Sequence, residues 1–224
     1  MTEPRLVEVR QKVLKQNDLL ARSLRDRFRA AGVYVVSLVS SPGSGKTTFL
    51  RQTLMELKSG RRVAAIVGDL ATDNDAARLA RAGVPIRQIT TGTVCHLDAT
   101  MVERALDSWA LNELDYLFIE NVGNLVCPSS YDLGEDLRLV LMSVTEGEDK
   151  PLKYPTIFNT ADVAVITKMD LAGPAEFDLI AARYHIQSVR PGMRVFEVSA
   201  KSGSGMSEWL QFLVGAPAAI AASQ

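Results

Sequence analysis

Between an apolar run ending at Val39 and a helical pattern beginning at Phe49, the chain reads Ser40-Ser41-Pro42-Gly43-Ser44-Gly45-Lys46-Thr47-Thr48. These residue types at this spacing suit the binding of phosphate. Gly43 and Gly45 let the backbone wrap closely around phosphate oxygens. The amide N–H groups at the start of the following helix, from Ser44 to Thr48, face the anion. Lys46 supplies a point charge to the β- and γ-phosphates, and the Thr47 hydroxyl can ligate Mg²⁺. Ser40 stands where the first glycine of the G-x-x-x-x-G-K-[ST] pattern belongs. Three remaining core positions, set between strand and helix, still indicate a nucleoside triphosphate binder.

Selection of the base requires a group that accepts from the guanine N1–H and N2 amine. Thr167-Lys168-Met169-Asp170 follows an apolar run and fits the [NT]KxD pattern, with Asp170 reading the base and Lys168 lying along the ring. Charge-assisted hydrogen bonds contribute about 1.5–3 kcal/mol each, enough to favour guanine over adenine. Ser199-Ala200-Lys201 follows the next apolar run and matches the second guanine-contact loop of G proteins. Two segments between these motifs qualify as switches. Gly68-Asp69-Leu70-Ala71-Thr72-Asp73-Asn74-Asp75 offers Asp69 and Asp75 to Mg²⁺, directly or through water, with Asp73 left to solvent or capping. Glu120-Asn121-Val122-Gly123-Asn124 is similar to the DxxG element of G proteins with Glu in place of Asp. Glu120 would hold the Mg²⁺ water shell and the Gly123 amide would sense the γ-phosphate. Asn124 occupies the position of the water-orienting glutamine of Ras-like enzymes, so slow intrinsic hydrolysis is expected. Lys46, Asp69 and Glu120 form the expected catalytic set.

A second chemistry is written in Thr90-Thr91-Gly92-Thr93-Val94-Cys95-His96-Leu97-Asp98, which sets a thiol beside an imidazole at a helix start. Cys127 follows the second switch, so both cysteines and one of two histidines adjoin the nucleotide end of the fold. Such soft S and N donors suit Zn²⁺ or Ni²⁺. Three ligands leave a tetrahedral site one donor short, to be completed by water or a second chain. On spacing alone, buried structural cysteines and metal ligands both remain open readings. His185, inside a helical pattern, is expected to pack or face solvent.

The elements that must position these residues alternate. Residues 4–31 place Leu6, Val9, Val13, Leu20, Leu24 and Phe28 on one stripe of an amphipathic helix. Strands are expected at 33–40, 62–68, 86–89, 116–120, 137–144, 163–167 and 195–198. Helices are expected at 49–58, 75–82, 98–111, 174–187 and 206–213, with a frayed alanine-rich end after Gly215. Consecutively apolar strands interleaved with helices define an α/β class with a mostly parallel sheet covered on both faces. Ligands in such folds sit at the carboxyl ends of strands, where every motif above falls. At 224 residues the chain makes one large domain or two very small ones. Segments 1–31, 32–215 and 216–224 divide it into an N-terminal helical segment packing on a GTPase domain, that domain, and a tail. The apolar share of 47% and charged share of 23% exclude disordered, collagen-like and coiled-coil classes. Lys+Arg 25 against Asp+Glu 26 speaks against nucleic-acid binding through bulk charge. Two cysteines exclude a disulfide scaffold. The basic N-terminal stretch lacks an apolar signal core, and the apolar runs at 33–39 and 216–222 fall short of the roughly 20 residues that span a bilayer. A cytoplasmic protein with no membrane partner is expected.

Taken in order, GDLATDND, TGTVCHLDA, FIENVGNLVCPSSYDLGE, SVTEGEDKPLKYP and ITKMDL closely resemble the HypB family of hydrogenase maturation GTPases over about residues 5–214. The resemblance implies a SIMIBI-class P-loop NTPase G domain that dimerises when GTP is bound. It implies GTP-dependent nickel insertion during [NiFe]-hydrogenase assembly, with HypA and the hydrogenase large subunit as partners. It also implies a Ni²⁺ or Zn²⁺ site at the dimer interface, carried here by Cys95, His96 and Cys127. Lys150 and Lys153 could reach across such a dimer to nucleotide. No Cys or His precedes Cys95, so no separate N-terminal nickel store is expected. Thr167 in place of the usual Asn is expected to loosen one loop contact. A urease-type nickel GTPase, and a nucleotide-gated metal-binding dimer with negligible turnover, stand as the alternatives.

Overall fold

The computed structural model describes residues 5–70 and 74–221, with side chains described from residue 11 to 217 outside that gap. Asp73, and the side chains of Leu6 and Val9, lie outside the described residues. The chain opens with helix α1 (Arg5–Ala31) and enters strand β1 (Tyr34–Ser40), then α2 (Lys46–Leu57), β2 (Val63–Asp69), α3 (Asn74–Ala80) and β3 (Ile86–Thr90). It continues through α4 (Ala99–Ala105), β4 (Tyr116–Glu120), β5 (Leu137–Ser143), α5 (Lys150–Lys153) and α6 (Pro155–Thr160). Strand β6 (Val163–Thr167), helix α7 (Leu179–Val189), strand β7 (Arg194–Glu197) and helix α8 (Met206–Ala221) complete it.

The seven strands form one sheet in the order β3-β2-β4-β1-β5-β6-β7, and every pairing is parallel. β1, β5 and β6 are buried along their whole length, as their unbroken apolar sequences require. One face packs Tyr34, Val36 and Leu38 of β1 against Phe49 and Leu54 of α2 and Trp209 of α8. On the opposite face, Ala21, Leu24 and Phe28 of α1 meet Val35 of β1 and Val102 of α4. Further along that face, Phe158 of α6 and Ile186 of α7 cover Val140 and Ile166. β1 therefore sits at the centre with its carboxyl end flanked by those of β4 and β5. No helix among the described residues is long and apolar enough to cross a membrane.

Five helices depart from expectation. The helix expected at 98–111 ends at Ala105, because the Arg87 guanidinium takes the carbonyls of Ala105 and Asp107 at 2.5 and 2.6 Å and Ser108 turns the chain at φ 63. The helix expected from 174 starts at Leu179, where the Asp178 carboxylate accepts from the Ala181 amide at 2.9 Å. Helices α5 and α6 were not anticipated; Pro151 and Pro155 stand in their first turns, where a missing N–H costs nothing. The alanine-rich end is not frayed up to Ala221, since α8 continues that far through Pro217.

Candidate nucleotide and metal sites

At the end of β1 the chain turns through Ser41–Ser44 and enters α2. Gly45 caps α2 at φ 89, a left-handed conformation that other residues adopt only at a cost. Above this turn lies a cleft of about 420 Å³ lined by Ser41 to Thr48, Asp69, Asp75, Gly123 and Lys168 among others. Lys46 Nζ donates to Glu120 Oε1 at 3.1 Å, and Thr47 Oγ1 donates to the same oxygen at 2.6 Å. Glu120 is 1% exposed, and its second oxygen, Oε2, has no hydrogen-bond partner. A hydroxyl and a carboxylate with a spare buried oxygen, both beside a phosphate loop, form a hard-donor pair suited to Mg²⁺. Asp69 and Asp75 line the same cleft; the Asp69 carboxylate accepts from the Leu70 amide at 2.6 Å, and Asp75 pairs with Arg78 at 3.2 Å. Across the floor, Gly123 lies so close to the loop that an added Cβ would stand 3.1 Å from the Pro42 backbone.

The base-reading motifs converge on the neighbouring cavity, which Thr48, Lys168, Asp170, Ala200 and Lys201 line. Ser199 Oγ donates to Asp170 Oδ1 at 2.6 Å, joining the two motifs. Lys168 Nζ donates to the Gly43 carbonyl at 2.6 Å. Thr167 is itself in contact with the loop: its hydroxyl lies 2.5 Å from the Ser44 carbonyl and 3.2 Å from that of Met142. Lys153 is turned to solvent and paired with Asp149 at 2.6 Å, outside both cavities. Lys150 instead reaches the loop, donating to Ser41 Oγ at 3.3 Å while paired with Glu146 at 3.3 Å.

Cys95 and His96 sit on the loop between β3 and α4, and Cys127 opens the short helical turn Cys127–Ser130 that follows β4. One ligand atom from each of the three lies within 4.8 Å of the others, and the two sulfurs are 2.9 Å apart. The His96 ring stacks on Tyr131 with centroids 4.0 Å apart, and its Nδ1 is buried without a partner. Burial lowers the pKa of His96, against the opposing pull of Asp98. This favours the neutral imidazole, the form that binds metals. One imidazole nitrogen and two thiols within this radius fit a borderline-soft cation such as Ni²⁺ or Zn²⁺.

Two asparagines tie this cluster to the second switch. Asn121, directly after Glu120, accepts from the amides of Leu97 and Val122 at 3.0 and 2.9 Å. Asn124 Nδ2 donates to the Cys95 carbonyl at 3.4 Å. Sequence reasoning singled out neither Asn121 nor Tyr131. The only signal for Asn121 was a polar residue continuing a buried strand. His185 is a packing residue whose Nδ1 lies 2.9 Å from the Glu148 carbonyl.

Sheet order, the phosphate loop and the joined TKMD and SAK motifs define a P-loop GTPase fold, here with a thiol–imidazole cluster beside the loop that follows β4. The family profile described as CobW/HypB/UreG, nucleotide-binding domain, matches residues 34–197, and the chain belongs to this family. It is 48% identical over 213 residues to the hydrogenase maturation factor HypB of Azotobacter chroococcum mcd 1, covering 95% of this chain and 70% of the relative. It is 43% identical to the hydrogenase/urease maturation factor HypB of Helicobacter pylori (strain ATCC 700392 / 26695), covering 93% of this chain and 87% of the relative. Among solved structures, HypB from Helicobacter pylori in complex with nickel superposes with a TM-score of 0.85 at 42% identity, covering 90% of this chain and 95% of that one.

Proposed function

We propose that this chain is a GTP-hydrolysing nickel chaperone that couples nucleotide state to metal release during [NiFe]-hydrogenase maturation. The observation that carries the reading is Asn121: one side chain links the end of β4, where Glu120 meets Lys46 and Thr47, to Leu97 beside His96. The nickel-bound Helicobacter relative supports nickel as the cargo. Zn²⁺ satisfies the same donors.

In this reading Gly43, Ser44, Gly45 and Thr48 cradle the phosphates. Lys168, Asp170, Ser199, Ala200 and Lys201 hold the guanine. Thr47, Asp69, Asp75 and Glu120 hold Mg²⁺, which supplies charge neutralisation at the β- and γ-phosphates when bound. The phosphates compete with Glu120 for Lys46, because an anion in the cradle offers Lys46 a second charged partner. Glu120 then loses one of its two donors, and the strand end that carries Asn121 is relieved of one restraint. The Gly123 amide senses the γ-phosphate from its position against Pro42. Asn121 carries the change to Leu97, and so to the His96 side of the metal cluster. Cys127 feels it through the chain that follows Gly123. Nucleotide occupancy thereby changes metal affinity by biasing a two-state loop.

The three protein ligands are completed by water or by a second copy, and GTP promotes the homodimer, with the solvent-facing Lys153 reaching the partner's nucleotide. HypA and the hydrogenase large subunit receive the metal, in the cytoplasm. Segment 1–31 packs on the GTPase domain of 32–215, and 216–224 forms the tail. The name of the Helicobacter relative covers urease as well, which supports delivery to that enzyme as a second reading.

The test is Ni²⁺ affinity with GDP and with a non-hydrolysable GTP analogue, together with phosphate release by the wild type and Lys46→Ala. Different affinities and loss of release in the variant are expected. Identical affinities and ligand spectra would remove the coupling. Release that survives Lys46→Ala at the wild-type rate belongs to a contaminant.

A further inference from the structure

Helix α1 is joined by one buried polar side chain to the two segments that carry Cys95, His96 and Cys127. Asn17 is 7% exposed, and both ends of its amide are used. Nδ2 donates to the Asp132 carbonyl at 2.9 Å, and Oδ1 accepts from the Ala99 amide at 2.9 Å. A buried amide with both ends satisfied tolerates little displacement, since moving either partner leaves a polar group without solvent or bond.

The segments that Asn17 joins are those that carry the cluster. Ala99 opens α4, at the end of the loop that holds Cys95 and His96. Asp132 is bonded to Tyr131, whose ring stacks on His96, and it follows the turn that begins at Cys127. The 131–135 loop is further anchored to α1 by Arg25, which donates to both carboxylate oxygens of Asp132 at 2.7 and 2.9 Å and to the Glu135 carbonyl at 3.3 Å. The start of α4 is tied to α1 at Asn17. The separation of the two ligand-bearing segments is therefore set against a helix that contributes no ligand.

We infer that Asn17 is a positioning residue for the metal cluster, holding the Cys95–His96 segment at a fixed distance from the Cys127–Tyr131 segment. The inference rests on the reading that these three side chains bind Ni²⁺ or Zn²⁺. Groups that orient ligands without touching the metal typically account for 10–100-fold in affinity.

The experiment is titration of the full chain with Ni²⁺ in the presence of GDP, read by a competing chromophoric chelator and by the thiolate-to-nickel charge-transfer band. Asn17→Leu keeps the branched heavy-atom shape and removes both hydrogen bonds, whereas Asn17→Asp keeps the acceptor for the Ala99 amide and loses the donor. Phe28→Leu, in the same helix and fully buried in the core, is the control for general loosening of α1. Cys95→Ser tests the site itself. Asn17→Leu is expected to weaken Ni²⁺ binding by about 10–100-fold and to change the band. Asn17→Asp recovers part of both, and Phe28→Leu changes neither. If Asn17→Leu does not fold, the graded loss in Asn17→Asp carries the result. Wild-type affinity and band in both Asn17 variants, or an equal loss in Phe28→Leu, would overturn the inference. Equal binding by wild type and Cys95→Ser would instead overturn the site on which it rests.

Discussion

The Asn121 side-chain oxygen holds the Leu97 amide at 3.0 Å, so the residue after Glu120 grips the residue after His96. Removing that oxygen leaves the buried Leu97 and Val122 amides without a partner, at about 1–3 kcal/mol for each. Asn121→Ala is therefore expected to lower stability by that order while keeping GTP binding, because Lys46, Thr47 and Asp170 are untouched. The difference in its Ni²⁺ affinity between GDP and a non-hydrolysable GTP analogue should shrink to the part that reaches Cys127 through Gly123. Paired metal titrations check this, with urea unfolding as the stability readout. A nucleotide dependence equal to that of the wild type would show that the link runs elsewhere.

Asp170 is held through one oxygen by the Ser199 hydroxyl at 2.6 Å and lines the neighbouring cavity. Each charge-assisted bond to guanine contributes about 1.5–3 kcal/mol, which corresponds to roughly ten- to more than a hundredfold in affinity. Asp170→Ala is expected to weaken GTP binding by at least about tenfold while leaving ATP binding unchanged. Ser199→Ala, which only frees the carboxylate, should cost less, about 0.5–1.5 kcal/mol. Displacement of a fluorescent guanine nucleotide measures both. Equal losses for GTP and ATP would mean that Asp170 supports the loop rather than reading the base.

Strand pattern and motif spacing made much of this molecule legible. Unbroken apolar runs marked the strands, because a parallel sheet buries both faces and leaves no polar alternation to hide them. The meeting of Lys46 and Thr47 with Glu120, and of Ser199 with Asp170, was legible because each motif sits at a particular offset from a strand end. What patterning could not reach was set by contacts distant in sequence. Arg87 takes the last carbonyl of α4 and that of Asp107 beyond it, a contact with no local signature. No helix was expected at α5 and α6, although Pro151 and Pro155 each suit a first helical turn. Asn17 sits among the charges of an amphipathic helix, where its burial depends on a loop more than a hundred residues away.

Gly134 shows how closely that loop approaches α1. Its φ is +84, and a Cβ placed there would stand 2.9 Å from the Ala21 carbonyl and 3.0 Å from Leu24 Cβ. The left-handed conformation alone costs a non-glycine residue about 1–2 kcal/mol. The contact with α1 backbone adds to that, because a helix carbonyl cannot swing aside as a flexible side chain would. Gly134→Ala is expected to destabilise by more than about 1 kcal/mol and to expose α1 to protease before the rest of the fold. Urea midpoints and limited proteolysis report the two effects. An unchanged midpoint would mean that α1 can shift without cost.

The pair between Arg25 and Asp132 makes the docking of α1 dependent on pH. Burial disfavours the charged Asp132 carboxylate, yet the Arg25 hydrogen bonds and the Gly134 amide outweigh it and hold the pKa below the usual carboxylate range. The unfolded chain, with an ordinary aspartate near about 3.9, therefore takes up the proton first as pH falls. Stabilisation by Asp132 is complete above that value and is lost progressively as pH drops through the lower native one. The pair is partly exposed, at 24% and 33% for the two side chains, so the effect is modest and screened by salt. Asp132→Asn should thus melt below the wild type at pH 7, with the gap closing as pH falls below about 4 and shrinking in high salt. Calorimetric melts across that range at two salt concentrations test the sign. A gap that stays constant from pH 7 to pH 3 would show that Asp132 contributes through shape and hydrogen bonding rather than through its charge.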